Sequence, residues 1–394
     1  MAPDTAPFRI PVSTYSLQFH RGFGFSDARA LLPYLAQLGI TDCYASPYLR
    51  ARPGSPHGYD ICDHNELNPE IGSDEDYAAF VAELTAHAMG QIVDFVPNHM
   101  GADETANPWW RDVLENGPSS PFAGFFDIDW HPIKSELTAK VLLPILGDQY
   151  GAVLERGEIR LVFENGTFTL HYFDHDLPLN PRQFLKILEH ELDALRSALG
   201  DDDPHLIEYL SIATALRNLP VYTETDPARM AERQREKEVA HDRLARLAGS
   251  VPRIREHIAA AVRAFNGTAG EPATFDRLHD VLEAQPYRLA YWRTALHEIN
   301  YRRFFDINQL AGLRMEDPRV FAATHGLVLR LIREGTITGM RIDHIDGLFD
   351  PRQYLEQLQH AVQAQPTAAG SGEGPAQALY IVTEKILSTG ESLP

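Results

Sequence analysis

Short apolar runs alternate with amphipathic segments near both ends of the chain. Five runs have the length and residue types of buried strands, namely Thr14–Phe19, Thr41–Tyr48, Gln91–Val96, Thr336–Asp343 and Ala378–Glu384. Amphipathic helices are predicted between them, over Phe25–Leu38, Asp74–Ala88 and Pro351–Ala364. Because strands that alternate with helices form parallel sheets, we predict an α/β fold with five parallel strands. A closed barrel needs eight strands, so the pattern fits an open sheet or a barrel truncated after about the fifth strand.

The alternation stops between the third and fourth strands, from about Gly101 to His325. Three stretches there alternate like antiparallel strands, and they are Lys140–Leu146, Val153–Leu154 and Ile159–Phe173. Within the last of them, Asn165-Gly166 is a strong hairpin turn signal. From Pro181 to Phe265 the pattern becomes helical and heavily charged, and the run Arg229–Arg243 is expected to be a solvated helix face.

These patterns divide the chain into three parts. Residues 1–100 would carry strands one to three, residues 101–325 a large inserted subdomain, and residues 326–394 strands four and five. Insertions of this kind normally lie over the carboxyl ends of the strands, where the active sites of such sheets are found. The stretch Gln365–Gly374, rich in Pro, Ala, Gly and Ser, is expected to be a surface loop.

Composition narrows the choice of partners. The 394 residues carry a formal charge of −20, which disfavours nucleic acid and anionic membrane surfaces as partners. No apolar run approaches the roughly 20 residues of a membrane helix. The two cysteines, Cys43 and Cys62, argue against a disulfide framework, and together with the polar N-terminus they lead us to expect a cytoplasmic protein.

Polar side chains follow three of the predicted strands at the point where each strand ends. They are Asp94, Asn98 and His99 on the third strand, Arg341 and Asp343 on the fourth, and Glu384 on the fifth. Arg341 and Asp343 lie two residues apart, so in a strand they point to the same face. Because the carboxyl ends of parallel strands meet at one edge, these groups are expected to converge.

Two carboxyl groups beside an arginine suit the chemistry of retaining glycosidases. One ionised carboxylate is the nucleophile, and one carboxylic acid protonates the leaving oxygen. Arg341 would keep Asp343 ionised, and Glu384 would be the acid. The sequence shows no Gly-rich phosphate loop, no Cys/His metal cluster and no Gly-x-Ser-x-Gly elbow, so neither a cofactor nor a metal ion is expected. The alternatives are that each strand-end residue is an ordinary cap and that Arg341 and Asp343 form a structural ion pair.

Aromatic side chains could supply stacking surfaces for a sugar. The candidates are Tyr59, Trp109, Trp110, Trp130 and Trp292. For the adjacent tryptophans, a position in the core is the alternative interpretation.

Several stretches resemble a known family. Asp94-Phe-Val-Pro-Asn-His99, Gly339-Met-Arg-Ile-Asp343 and Val382-Thr-Glu384 resemble three of the four short regions of the α-amylase superfamily, glycoside hydrolase family 13. More narrowly, four stretches resemble the maltooligosyltrehalose synthase family, namely Ser55–Ile61, Asn68–Gly72, Tyr287–Arg293 and Glu298–Asn308. The resemblance covers nearly the whole chain and implies a (β/α)8 TIM barrel with an insertion after the third strand.

The resemblance also implies roles for individual residues. Asp343 would be the nucleophile and Glu384 the general acid/base. The implied sugar-binding residues are Tyr59, which would stack on the sugar, Asp60, which would close the pocket around a chain end, and His99, Arg341 and His344. The implied reaction is an intramolecular transfer that remakes the reducing-end α-1,4 linkage of a maltooligosaccharide as an α,α-1,1 linkage.

The chain also departs from the family pattern. The fourth short region, which carries the family's third carboxylate, and strands six to eight have no counterpart, so we expect an incomplete fragment. Two alternative functions stay open. One is an α-glucan hydrolase or 4-α-glucanotransferase of the same superfamily, and the other is a non-catalytic maltodextrin-binding remnant.

Overall fold

The computed structural model describes residues 9–364 and 378–392. The predicted surface loop Gln365–Gly374 lies outside these residues. The described residues form two compact units. Unit 1 contains residues 9–107, 125–127, 303–364 and 378–392, and unit 2 contains residues 108–124 and 128–302.

The described strands are β1 (Thr14–Leu17), β2 (Asp42–Ala45), β3 (Leu49–Ala51), β4 (Ile61–Leu67), β5 (Gly90–Phe95), β6 (His99–Gly101), β7 (Val141–Leu146), β8 (Arg160–Glu164), β9 (Thr167–Tyr172), β10 (His175–Pro178), β11 (Tyr287–Tyr291), β12 (Arg303–Phe304), β13 (Ile307–Gly312), β14 (Gly339–Ile342) and β15 (Tyr380–Thr383). The described α-helices are α1 (Phe25–Gln37), α2 (Asp74–Ala86), α3 (Pro108–Asn116), α4 (Tyr150–Glu155), α5 (Phe184–Leu188), α6 (Leu192–Leu199), α7 (Pro204–Asn218), α8 (Pro227–Ser250), α9 (Pro252–Phe265), α10 (Asp276–Leu282), α11 (Ala295–Glu298), α12 (Pro318–Arg333) and α13 (Pro351–Gln363). In the described part of the chain, no helix is both long enough and apolar enough to cross a membrane.

Unit 1 is built on a five-stranded sheet in the order β1-β2-β5-β14-β15. All four pairings are parallel, which confirms the five predicted strands and their sheet. Four of the five strands are shorter than their predicted runs, and β5 has the predicted length but begins one residue earlier.

Local sequence signals begin the helices of unit 1. Ser73 caps α2 by accepting a hydrogen bond from the Asp76 amide, and the Asp76 carboxylate accepts one back from the Ser73 amide. Asp350 caps α13, and Pro351 occupies the first helical position, where its missing N–H has no helical partner to lose. The core between α1, α2 and the sheet contains an aromatic cluster, whose members include Phe19, Phe25, Tyr48, Tyr77 and Phe80.

A small antiparallel sheet in unit 1 follows directly from the third strand of the parallel sheet. It has the order β12-β13-β6, and Gly312 of β13 pairs with His99 of β6. This pairing brings residues 303–312 beside the polar end of β5. The sequence pattern did not predict it, because the partners lie about 200 residues apart.

Unit 2 confirms one part of the predicted antiparallel region. β8 and β9 form a hairpin, and β10 adds a third strand that the sequence did not predict. At the turn, Asn165 and Gly166 have φ of 49° and 80°, the two left-handed conformations that a type I′ turn requires.

The prediction of antiparallel strands is wrong for the other two stretches. β7 pairs in parallel with β11, nearly 150 residues further along the chain, and Val153 and Leu154 lie in α4. Both stretches are buried and apolar, and such short runs do not distinguish a strand from a helix or one pairing from another.

The helical region of unit 2 contains a second correction. α5 to α9 confirm the predicted helical pattern, but α8 is not solvated all round. Arg233 and Lys237 are 1% and 2% exposed. The Lys237 ammonium hydrogen-bonds to Glu115 and lies 3.6 Å from the Asp112 carboxylate, and the Arg233 guanidinium donates to Asn116, Asn180 and the Pro220 carbonyl. The hydrophobic pattern cannot predict that charged residues are buried, because the residues that pair with them lie elsewhere in the sequence.

Candidate active site

The polar residues at the ends of β5, β14 and β15 converge because of the strand register. Arg341 of β14 lies opposite Asp94 of β5, and Ile342 lies opposite Thr383 of β15. The ladder extends one residue further, since the Asp343 amide donates to the Phe95 carbonyl (2.9 Å) and the Glu384 amide donates to the Ile342 carbonyl (3.0 Å). Asp343 and Glu384 therefore leave adjacent strands at the same level.

The Arg341 guanidinium contacts all three carboxylates at this edge. Nη1 lies 2.8 Å and 3.0 Å from the two oxygens of Asp94 and 2.6 Å from Oδ1 of Asp343, and Nη2 lies 3.4 Å from Oε1 of Glu384. Burial disfavours the charged form of Arg341, but the hydrogen bonds and charge of Asp94 outweigh it and raise the pKa of Arg341. Arg341 is thus a permanent cation that fixes the carboxylates around it.

Asp94 is the buried carboxylate that pairs with Arg341. It is fully buried, and Oδ2 accepts hydrogen bonds from the hydroxyls of Tyr44 (2.7 Å) and Tyr59 (2.6 Å). Burial raises the pKa of Asp94, although both hydroxyls and Arg341 work in the opposite direction. With every oxygen occupied, Asp94 serves to position Arg341 and the two tyrosines.

Asp343 is the second buried carboxylate, with a side chain that is 8% exposed. Burial raises the pKa of Asp343 to about 6, while the hydrogen bond and charge of Arg341 lower it. Arg341 does favour the ionised form, as predicted, but the removal of water outweighs it. Asp343 is consequently ionised at neutral pH and protonated in mildly acidic solution.

Glu384 is more open to solvent than the other two carboxylates, with a side chain that is 28% exposed. Oε2 accepts a hydrogen bond of 2.9 Å from the His344 amide. His344 has φ of +48°, and this left-handed backbone at the end of β14 directs the amide towards Glu384. The arrangement leaves one carboxyl group buried on Arg341 and a second one accessible beside it.

Two histidines and two phenylalanines form one wall of the site. The ring of Phe304 packs 4.5 Å from that of His99 and 4.8 Å from that of His344, and the ring of Phe305 lies 5.1 Å from that of His344. His99 is buried, whereas Phe305 is 61% exposed. The hairpin of β12 and β13 thus places an exposed aromatic ring next to the carboxylates.

The remaining predicted residues lie on the loop before β4. The half-buried Tyr59 reaches the site through its hydrogen bond to Asp94. Asp60 is turned to its own loop, where it accepts a hydrogen bond from the Ser55 hydroxyl and lies 3.9 Å from Nδ1 of His57. No contact that we observe joins Asp60 to the Arg341 cluster.

The structure therefore brings most of the predicted site residues together. Arg341, Asp343, Glu384 and Tyr59 form one connected cluster through Arg341 and Asp94, and His99 and His344 line it through Phe304. Tyr44, Phe304 and Phe305 were not predicted. Phe304 and Phe305 lie within Glu298–Asn308, and the resemblance of that stretch to the synthase family is the signal that could have identified them. Nothing in the sequence links Tyr44 to Asp94.

The tryptophan candidates have different surroundings. Trp110 is 1% exposed and belongs to the core of unit 2, so its prediction as a sugar platform is wrong and the alternative holds. Trp109 is half-buried and stacks on Phe122 at 5.5 Å. Trp130 is also half-buried, and Trp292 is 51% exposed with the Arg293 guanidinium 5.2 Å from its ring.

Among residues 9–364 and 378–392, no group of three or more His, Cys, Asp or Glu side chains is arranged to hold a metal ion. Cys43 and Cys62 are both buried free thiols.

Comparison with known proteins agrees with this architecture. Residues 29–178 match the model of the alpha-amylase catalytic domain. The intracellular maltogenic amylase of Bacillus subtilis is 33% identical over 105 residues, which are 27% of this chain and 17% of that protein. Over these residues, which include the stretch Asp94–His99, the chain is similar to proteins of the α-amylase superfamily.

A longer match is more specific. A protein of Mycobacterium tuberculosis strain H37Rv named as a maltooligosyl trehalose synthase is 33% identical over 389 residues, which are 97% of this chain and 35% of the relative. The solved maltooligosyltrehalose synthase of Arthrobacter ramosus is 30% identical, with a TM-score of 0.62 over 98% of this chain and 36% of that one. Along nearly its whole length the chain is therefore similar to maltooligosyltrehalose synthases, and it spans about a third of their length.

Proposed function

We propose that this chain carries the catalytic carboxylates of a maltooligosyltrehalose synthase. The observation that supports the proposal is the Arg341 guanidinium, which joins the buried Asp343 and the accessible Glu384 at neighbouring strand ends. The substrate is a maltooligosaccharide, and the reaction is an intramolecular transfer at its reducing end. The long match to synthases, against short matches to amylases, favours this function over a hydrolase or a 4-α-glucanotransferase.

In this mechanism, Asp343 attacks the anomeric carbon of the glucosyl unit next to the reducing end. The bond from that carbon to the leaving O4 breaks, and Glu384 gives its proton to O4. The released glucose then presents its own anomeric hydroxyl. Glu384 takes the proton from this hydroxyl, the oxygen attacks the glycosyl-enzyme, and the bond to Asp343 breaks, which leaves an α,α-1,1 linkage.

The environments of the two carboxyl groups fit these roles. Arg341 touches the Asp343 oxygen at 2.6 Å, so it stabilises the carboxylate that forms again when the second step is complete. Glu384 is the more exposed group, as a residue that exchanges a proton with two different sugar oxygens must be.

Binding roles for the surrounding residues follow from the resemblance. Tyr59 stacks on the sugar at the Asp343 site, and His99, Arg341 and His344 bind its hydroxyls. Asp60 closes the pocket around the end of the glucan, which requires its side chain to leave Ser55 and His57 when substrate binds. Phe305 adds an exposed ring beside His344 that suits the apolar face of a sugar.

The five-stranded sheet is proposed to be part of a (β/α)8 barrel. Exposed apolar side chains at both edges of the sheet support this view. Beside β1 they include Val12, Tyr15 and Tyr34, which are 87%, 44% and 61% exposed. After β15 they include Ile386 and Leu387, which are 59% and 45% exposed. Unit 2 corresponds in this proposal to most of the insertion that the sequence predicts at residues 101–325, between barrel parts 1–100 and 326–394.

A product assay tests the proposal. The chain is incubated with maltopentaose, alone and joined to the part of the Arthrobacter ramosus synthase that it does not match, and reducing ends and free glucose are followed together. The expected result is loss of reducing ends without release of glucose in the joined protein, abolished by Asp343→Asn. A parallel rise of glucose and reducing ends would instead assign a hydrolase. Binding of maltopentaose with no turnover by the folded joined protein would assign a non-catalytic maltodextrin-binding remnant.

A further inference from the structure

Unit 2 contains a groove that the proposed sugar chemistry does not use. Its walls are β8 with the turn to β9, the C-terminal part of α8, and one face of α9, and its volume is about 590 Å³. Binding sites for small molecules usually have volumes of about 300–1,000 Å³. The groove is therefore large enough to hold a small ligand.

The floor of the groove is apolar because small side chains line both helices. Ala245, Ala248 and Gly249 of α8 face Ala259 of α9 across it. Larger apolar side chains, Leu161, Phe163, Ile258 and Val262, complete the walls. An apolar floor of this kind suits a hydrocarbon body.

Two arginines of α9, Arg255 and Arg263, also line the groove. Arg255 and Arg263 are exposed, and neither forms an ion pair with another residue that the structure describes. Two cations without an ion-pair partner beside an apolar floor attract anions to the groove.

The two arginines lie on either side of the apolar residues of α9 in the sequence. They are eight residues apart on α9, which places them about 12 Å apart along the helix axis. Ile258, Ala259 and Val262 lie between them in the sequence and line the same groove. Glu164 is the acidic side chain in the lining, and it lies on the opposite wall in β8.

We infer that this groove is a binding site for a small amphipathic anion. The apolar body of the ligand lies on the alanine floor between α8 and α9, and its acid group pairs with Arg255 or Arg263, depending on its orientation. A neutral glucan offers no charge to these arginines, so the ligand belongs to a different chemical class from the proposed substrate. All the residues that line the groove belong to unit 2, and none of them belongs to the candidate active site.

The test is isothermal titration of the chain with decanoate. We expect saturable binding at one site, and about tenfold weaker binding to the double variant Arg255→Gln/Arg263→Gln, because charge-assisted hydrogen bonds are lost. Arg253→Gln is the matched control, since Arg253 is an exposed arginine of the same helix outside the groove, and it should bind like the parent. Ala259→Phe fills the floor and should abolish binding.

Decanol separates the charge from the chain length. Decanol should bind to the parent chain more weakly than decanoate does. It should bind with equal affinity to the parent and to the double arginine variant. These comparisons do not depend on whether Ala259→Phe folds. Three results would overturn the inference. They are no saturable binding of decanoate, equal affinity of decanoate for the parent and the double variant, and binding to anionic lipid vesicles without binding to free decanoate.

Discussion

At the level of single residues, one guanidinium contacts all three carboxylates of the candidate active site. Arg341 neutralises Asp94 and Asp343 at hydrogen-bond distance and lies within ion-pair distance of Glu384. The sequence predicted Arg341, Asp343 and Glu384, because each follows an apolar strand. It could not predict that Tyr44 and Tyr59 share one oxygen of Asp94, since hydrogen bonds between distant segments leave no mark on a hydrophobic pattern.

The first residue-scale prediction concerns stability. Burial raises the pKa of Asp343 to about 6, so its ionisation is less favourable in the folded than in the unfolded chain. At a pH below the ordinary aspartate pKa, Asp343 is protonated in both states and this destabilisation of the folded chain is absent. The destabilisation grows as the pH rises towards 6, and it has its full value above pH 6. Asp343→Asn should therefore raise the free energy of unfolding at pH 8 by about 3 kcal/mol and have little effect at pH 4.

Thermal or urea unfolding at the two pH values measures this difference. Asp201→Asn is the matched control, because Asp201 is an exposed aspartate on a loop of unit 2, and it should change neither value. An Asp343→Asn variant that is less stable than the parent at pH 8 would show that Arg341, and not burial, dominates the environment of Asp343.

The second residue-scale prediction concerns activity. A nucleophile must be ionised, so kcat/KM for maltopentaose should fall as the pH drops through about 6, with the slope of a single ionisation. The pH profile of kcat/KM for the joined protein measures this directly. A flat profile down to pH 5 would mean that Asp343 stays ionised there, or that it is not the attacking group.

At the level of elements, the sequence predicted the segments that carry a local signal. The five parallel strands were predicted from apolar runs that alternate with helices, and the β8–β9 hairpin was predicted from the Asn165-Gly166 turn. The parallel pairing of β7 with β11 and the β12-β13-β6 sheet were not predicted, because their strands lie outside that alternation and no local signal marks their partners. The latter sheet also brings Phe304 to the site.

The element-scale prediction concerns α8. Lys237 is buried against Glu115 and Asp112. Burial alone would raise the pKa of Glu115, but the Lys237 ammonium holds it below the ordinary value. Lys237→Met leaves buried carboxylates without their cation and should destabilise unit 2 by about 3–5 kcal/mol.

Chemical unfolding followed by circular dichroism measures the effect of Lys237→Met. Arg235→Met is the matched control on the same helix, because Arg235 is 65% exposed, and it should change stability by less than about 0.5 kcal/mol. Equal effects of the two substitutions would show that the buried face of α8 contributes nothing beyond an ordinary helix surface.

At the scale of the whole molecule, two compact units each have a buried core of their own. Units with separate cores unfold as separate cooperative transitions, so we expect two transitions in scanning calorimetry. Lys237→Met should lower only the transition of unit 2, and Asp343→Asn at pH 8 should raise only that of unit 1. A single transition that both substitutions shift would contradict this division.

If Asp343 and Glu384 carry out a retaining glycosyl transfer, a covalent intermediate on Asp343 can be trapped. The substrate is 5-fluoro-α-D-glucosyl fluoride, whose fluoride leaves without help from an acid, so the Glu384→Gln variant of the joined protein can still form the glycosyl-enzyme. This variant lacks the base for the second step, so the covalent adduct should accumulate. Mass spectrometry of peptides should find one glycosyl group on the peptide that contains Asp343, and none after Asp343→Asn. An adduct on another residue, or no adduct on protein that binds maltopentaose, would contradict the account.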